Sequence, residues 1–381
     1  MYKILTNQSI TAGSAYQGRV YTVEDAKITG VSDSPTGAAE TIDLRALTVL
    51  PGLIDIHLHG GGGFDMMAGT YDAINSLSLY KIKEGVTAYC PSTVTASSDK
   101  TEAAISGVKQ AITQGTKGAK VLGIFLEGPY IGTKFKGAHP EAFLRPIDLE
   151  EITALVKDIP GKTSVAIAQE LPGAIEAIKA LTAAGIKCRI GHADASYEQT
   201  KAAVDAGGNI AIHTYNAMSP LHHREPGMVG SVFALDDLYA EIICDLHHVH
   251  PAAIKALVNA KGPDKTVLIT DCISSAGLPD GEYLLGELPI FMKDGVCRIA
   301  EGNLAGSTAT LIGCLKNMHQ VVGVPLVDAV TMATATPAKA IGVYDSIGSL
   351  DIGKQADIIA IDDDFNVRFV MVDGNVVLSA I

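Results

Sequence analysis

His57 and His59 stand two apart in the run IDIHLHGGGG at residues 54–63, and side chains two apart along a strand leave it on one face. Two imidazoles aimed together among Ile54, Ile56 and Leu58 need polar company, and a metal ion supplies it. The ends of the other apolar runs collect further candidates: Glu127, His192, His213, Asp245 with His247 and His248, and Asp271. Each alone has a structural reading, as an acidic turn residue, a hydrogen-bonded core histidine or an N-cap aspartate. Their recurrence at equivalent places favours one shared metal site. Imidazole combined with a carboxylate suits Zn²⁺ or Fe²⁺ better than Mg²⁺ or Ca²⁺, which prefer all-oxygen cages. Ligand type does not separate zinc from iron. Such an ion lowers the pKa of bound water to about 7 and polarises a carbonyl, so hydrolysis needs no reactive Ser or Cys. Asp271 is the natural carboxylate to carry the protons.

Something must bring those residues together. From Val49 onward, short and nearly continuous apolar runs alternate with amphipathic stretches, the pattern of parallel strands buried on both faces and crossed by helices. Eight runs are readable: VLPGLIDIHLH from Val49, then runs beginning at Thr87, Lys120, Thr163, Lys187, Asn209, Ala240 and Thr266. Helix signals lie between them, as in PGAIEAIKALTAAG, closed by a C-cap at Gly185, and SYEQTKAAVDAGG. Eight strand–helix units predict an α/β fold, a (β/α)8 TIM-like barrel over residues 49–344, whose active sites form at the carboxyl ends of the strands. Residues 1–48 and 345–381 show two-residue alternation with Gly and Asp turns. They are expected to pair into a small β-sandwich beside the barrel. The glycines Gly60 to Gly63 are read as a sharp loop whose backbone passes close to metal and substrate.

A net charge of −13 with no basic block argues against a nucleic-acid or anionic-membrane partner. No apolar run approaches the ~18 residues of a membrane span, and the start lacks a signal-like apolar segment. A cytoplasmic protein is expected. Cys90, Cys188, Cys244, Cys272, Cys297 and Cys314 are scattered without a C-x-x-C pair and read as buried thiols.

In this order, PGLIDIHLHGGGG, LEGPYI, GHADAS, HTYNAM, REPG and ITD closely resemble the N-acetylglucosamine-6-phosphate deacetylases of the amidohydrolase superfamily. The resemblance covers essentially the whole chain, including NLAGSTATL and the tail GSLDIGKQAD. It implies metal-dependent removal of the acetyl group from N-acetylglucosamine 6-phosphate. It further implies that Glu127, His192 and His213 hold the principal metal and that His57 and His59 complete a second site bridged by Glu127. Some relatives have Gln and Asn in place of those two histidines and use one ion; this chain keeps both, so one or two ions are expected. Asp271 matches the catalytic acid and base, and His139, in KGAHPEAF, a catalytic histidine contacting the substrate amide. Asn216, Ala217, Arg224 and His248 match residues that bind the sugar and its phosphate, in a pocket shared across a homodimer. The chain departs from many relatives in having Ala193 and Asp194 after GH. His222, His223, His247 and His250 receive no role. The alternatives are an amidohydrolase for another N-acyl amino sugar or N-acyl amino acid and, more remotely, a non-catalytic scaffold of this fold.

Overall fold

Eight parallel strands carry the site: β1 (Leu53–Leu58), β2 (Val86–Pro91), β3 (Gly123–Leu126), β4 (Lys162–Ile167), β5 (Lys187–Ile190), β6 (Gly208–Ala211), β7 (Tyr239–Ile243) and β8 (Thr266–Ile269). The computed structural model describes residues 1–35 and 39–381. Strands β3 to β8 form one parallel sheet in chain order, and β1 pairs with β2. Two seams close the ring. Thr93 N donates to Phe125 O at 2.9 Å beyond β2, and beyond β8 Asp271 N donates to His57 O at 2.9 Å. The expected TIM-like barrel is therefore present.

The helices between the strands begin and end where local chemistry dictates. Ser196 and Gln199 form a reciprocal capping box at the start of Tyr197–Asp205, which satisfies two otherwise orphaned donors. Ala174–Ala183 ends at Ala184 and Gly185, whose φ of 81° is left-handed and costs glycine little.

Strand β1 is not a plain strand. Between Asp55 and Leu58 it holds an extra residue against Tyr89 and Pro91 of β2, and such a bulge re-aims side chains near functional sites. Asp55 accepts from Thr270 Oγ1 at 2.6 Å and lies 3.7 Å from the buried Lys81 ammonium of helix Tyr71–Ile82. His57, two residues on, faces Glu241 and Glu127 instead.

Strands from both ends of the chain share a six-stranded sheet in which Thr48–Pro51 pairs parallel with Gln8–Thr11 and antiparallel with Ile358–Ile361. A four-stranded sheet of Tyr2–Leu5, Val20–Glu24, Lys27–Ser32 and Glu40–Asp43 packs on it through Ile4, Tyr21, Ile28, Val49, Ile358 and Phe369. One feature escapes the sequence reading. After β8 comes a three-stranded antiparallel insert of Gly281–Leu285, Leu288–Lys293 and Val296–Arg298. Its apolar face, Leu285, Ile290, Met292 and Cys297, packs on Val94 and Ile273 at the barrel mouth. All six cysteines are buried and free. Among the described residues, no helix is long and apolar enough to cross a membrane.

Candidate metal centre and active site

Glu127 follows β3 directly, and its carboxylate is the hub of the site. Its Oε1 lies 3.2 Å from Nε2 of both His192 and His213. Its Oε2 lies 3.0 Å from His59 Nε2 and 3.3 Å from His57 Nε2. One carboxylate thus joins two pairs of imidazoles. Asp271 adds to the second pair, its Oδ1 being 3.1 Å from His59 Nε2 and 3.5 Å from His57 Nε2.

The outer hydrogen bonds decide which ring nitrogens carry protons. His59 Nδ1 donates to Ser92 O at 3.0 Å, His192 Nδ1 to Phe135 O at 2.8 Å, and His57 Nδ1 to the Glu241 carboxylate at 2.9 Å. In each neutral ring the Nε2 lone pair then faces the oxygens of Glu127 or its neighbours. His192 Nε2 and His213 Nε2 also face each other at 3.0 Å, and His57 Nε2 has no hydrogen-bond partner. The Nε2 lone pairs of His57, His59 and His192, set against carboxylate oxygens in a buried site, are repulsive unless a cation lies between them. These residues fit a divalent metal on that ground.

The electrostatics agree. Burial opposes charge on His59, yet hydrogen bonds and charge from Asp271 and Glu127 raise its pKa to about 9. Burial likewise opposes charge on His57, but Glu127, Glu241 and Asp271 outweigh it and move the pKa well upward. Burial pushes Asp271 up, while the charge of His57 and the hydrogen bond from His59 hold it to about 2. A field that favours protons on these rings also favours a shared cation.

His139 differs. The Thr95 backbone N–H donates to its Nδ1 at 3.2 Å, so that nitrogen is the acceptor and Nε2 carries the hydrogen. Burial, followed by the neighbouring His192, depresses its pKa to about 3 and keeps the ring neutral. Its Nε2 points toward Glu127 Oε2 at 3.9 Å. His139 therefore presents an N–H, where the other rings present lone pairs.

Backbone strain marks the strand ends. His192, His213 and Asp271 have φ of 49°, 28° and 52°, a left-handed conformation that costs non-glycine residues of order 1–3 kcal/mol each and collects at functional sites. It lets the chain leave β5, β6 and β8 while aiming these side chains inward.

A cavity of about 510 Å³ opens over the cluster, within the range of small-molecule sites. His59, Glu127, His139, His192, His213 and Asp271 line it, as do the expected sugar contacts Asn216, Ala217 and His248. His248 Nδ1 donates to Asp245 Oδ2 at 2.7 Å. Arg224 does not line the cavity; it is exposed, with Nη1 2.8 Å from His223 Nε2. Asp194 pairs with Lys134 at 2.6 Å, and Lys134 does line the cavity. His250 caps helix Pro251–Lys261 by accepting from Ala252 N. The glycine reading needs correction. Gly60 to Gly63 are absent from the cavity wall; Cβ atoms on Gly60 and Gly61 would meet Phe64 O at 2.4 Å and the Tyr80 ring at 2.8 Å. Close packing beneath the loop requires Gly60 to Gly62, whereas Gly63 meets only Leu278, at 3.8 Å, and is set by its left-handed φ of 89°.

Two residues that the sequence reading passed over support the centre. Glu241 of β7 and Arg189 of β5 are wholly buried and joined at 2.7 Å. Arg189 also donates to Ile56 O at 2.9 Å and stacks 3.9 Å from the Phe125 ring centroid. Glu241 Oε2 both holds His57 Nδ1 and accepts from His213 N at 3.2 Å. A charge inside an otherwise apolar strand was the available signal, since such charges persist only when paired. Glu241→Gln is expected to lower metal affinity roughly 10- to 100-fold, the usual effect of losing an outer partner, because an amide can donate to Nδ1 and turn the His57 proton toward the cluster. Titration with chelator-buffered metal measures it, and unaltered affinity would mean that His57 is oriented by something else.

The amidohydrolase family pattern matches residues 48–377. The chain belongs to the amidohydrolase family. Among curated relatives of this amidohydrolase, the N-acetylglucosamine-6-phosphate deacetylase of Vibrio furnissii is 42% identical over 367 residues, 96% of this chain and 92% of that protein. The N-acetylgalactosamine-6-phosphate deacetylase of Escherichia coli O157:H7 is 38% identical over 92% of this chain and 93% of its own length. A solved structure of a mutant N-acetyl-D-glucosamine-6-phosphate deacetylase from Mycobacterium smegmatis, in complex with N-acetyl-D-glucosamine-6-phosphate, superposes with a TM-score of 0.93 at 32% identity, covering 99% of both chains. Family membership and the cluster of His57, His59, Glu127 and Asp271 together mark a divalent-metal enzyme.

Proposed function

We propose that this amidohydrolase hydrolyses the acetamide of N-acetyl-D-glucosamine 6-phosphate to acetate and D-glucosamine 6-phosphate. The observation that carries the reading is the company Glu127 keeps: two pairs of imidazole nitrogens, the carboxylate of Asp271 and the N–H of His139, gathered beneath one cavity. His192 and His213 with Glu127 would hold one ion, and His57 and His59 with Glu127 a second, the donor set suiting Zn²⁺ or Fe²⁺. A divalent ion held there would supply an acidified water and a polarised acetamide carbonyl. Asp271 accepts a proton from the attacking water and returns it to the amine nitrogen as the C–N bond breaks. The water oxygen leaves in acetate. His139 Nε2–H donates to the carbonyl oxygen as that oxygen gains negative charge. Asn216, Ala217 and His248 bind the sugar and phosphate at the cavity wall. A cytoplasmic homodimer belongs to the same reading, with Arg224, exposed outside its own cavity, available to the phosphate pocket of a second copy.

The Escherichia coli relative gives one competing reading, the galacto epimer. Acetate release from both 6-phosphates, with metal-loaded protein, decides between them: the gluco substrate is expected to show the higher kcat/KM. A preference for the galacto substrate would replace the proposed one.

A further inference from the structure

The cavity must accept a dianionic phosphate beside Glu127 and Asp271, in a chain of net charge −13. Among the described residues, only two lysine or arginine side chains line it, Lys134 and Arg298. Lys134 is already paired with Asp194, and Arg224 stands outside. Arg298 ends the last strand of the insert, opposite Phe291. Its neighbours Cys297 and Ile299 turn into the apolar core of the insert, so Arg298 projects from the other side of the strand. Among the described residues it has no carboxylate partner; its one hydrogen bond runs from Nη1 to Gly302 O at 2.8 Å. That bond, with the bridge between Arg298 and Leu304 and the bond from Ile299 N to Asn303 O, fixes the turn and leaves Nη2 and Nε unengaged.

We propose that Arg298 is a specificity residue of this chain's own cavity, binding the 6-phosphate of the substrate from the insert. The inference rests on the deacetylase reading above. A guanidinium held at one nitrogen and open at the others suits the forked geometry of phosphate recognition. His248 experiences charge from both Asp271 and Arg298, so the imidazole lies within electrostatic reach of the carboxylate that serves the acetamide and of the cation that serves the phosphate. The insert thereby gains a function beyond covering the barrel mouth, selecting phosphorylated over free amino sugar.

The test compares acetate release from N-acetylglucosamine 6-phosphate and from N-acetylglucosamine by the metal-loaded wild type, Arg298→Gln and Arg298→Lys. The wild type is expected to favour the phosphorylated sugar. Arg298→Gln should cut that ratio of kcat/KM values roughly 10- to 100-fold, the scale of a lost charged hydrogen bond, chiefly by raising KM for the phosphorylated sugar. Arg298→Lys should recover part of it. A ratio within twofold of wild type in Arg298→Gln, or equal losses on both sugars from a disturbed turn, overturns the role of Arg298 and leaves the proposed reaction standing. A wild type without preference for the phosphate overturns the proposed substrate itself.

Discussion

Glu127→Gln is expected to yield a folded protein that retains little or no metal after gel filtration. Glu127 is 2% exposed and each of its oxygens meets a different pair of imidazole nitrogens. The amide keeps the shape, so packing is preserved. It loses the charge that draws a cation into the site, and whichever way it turns, its NH₂ group meets one pair of imidazole nitrogens. That group can donate to the imidazoles directly, which satisfies the empty site and competes with metal. The loss should exceed the roughly 10- to 100-fold attached to outer partners such as Glu241, because both half-sites share this one carboxylate. Elemental analysis reads the result, with circular dichroism as the check on folding. Full stoichiometry in the variant would remove Glu127 from the ligand set. Complete loss from one half-site only would show that the two pairs of histidines do not depend on a common bridge.

Much of this centre was legible because barrel strands deliver chemistry at their carboxyl ends, so residue type and position sufficed to find His57, His59, Glu127, His192, His213 and Asp271. What escaped depended on features that spacing does not encode. The bulge in β1 breaks the alternation that first suggested a common face: Asp55 and His57 are also two apart, yet one serves Lys81 and Thr270 and the other the centre. Glu241 and Arg189 lie within β7 and β5 and meet only when the barrel closes. The insert bearing Arg298 has short strands whose alternation is weak, and its sequence lies inside the range read as barrel. Arg224 lies exposed outside the cavity of its own chain, the place that a pocket shared between two copies requires of it. A run of glycines after a strand does not reveal what lies beneath it, and here Tyr80 and Ser274 explain the absence of Cβ atoms at Gly60, Gly61 and Gly62.

Asp271→Asn is expected to lower kcat by roughly 10² or more, the scale of general acid–base catalysis, with at least one ion still bound. The backbone around this residue is held independently of its carboxylate: Asp271 N donates to His57 O at 2.9 Å and Ser307 N donates to Asp271 O at 2.8 Å. An asparagine inherits those bonds and can adopt the same left-handed φ, which Asn and Asp tolerate better than most residues. It cannot accept a proton from water and pass it to nitrogen. Because Asp271 Oδ1 also lies within ligand reach of the half-site of His57 and His59, that half-site can weaken in the variant. The half-site of His192 and His213 contains no atom of Asp271 and should keep its metal. Metal content and turnover measured on the same preparation separate the two roles. Retained metal with slow turnover assigns Asp271 to proton transfer; near-normal turnover would refute that assignment, and loss of all metal would make Asp271 a ligand on which both half-sites depend.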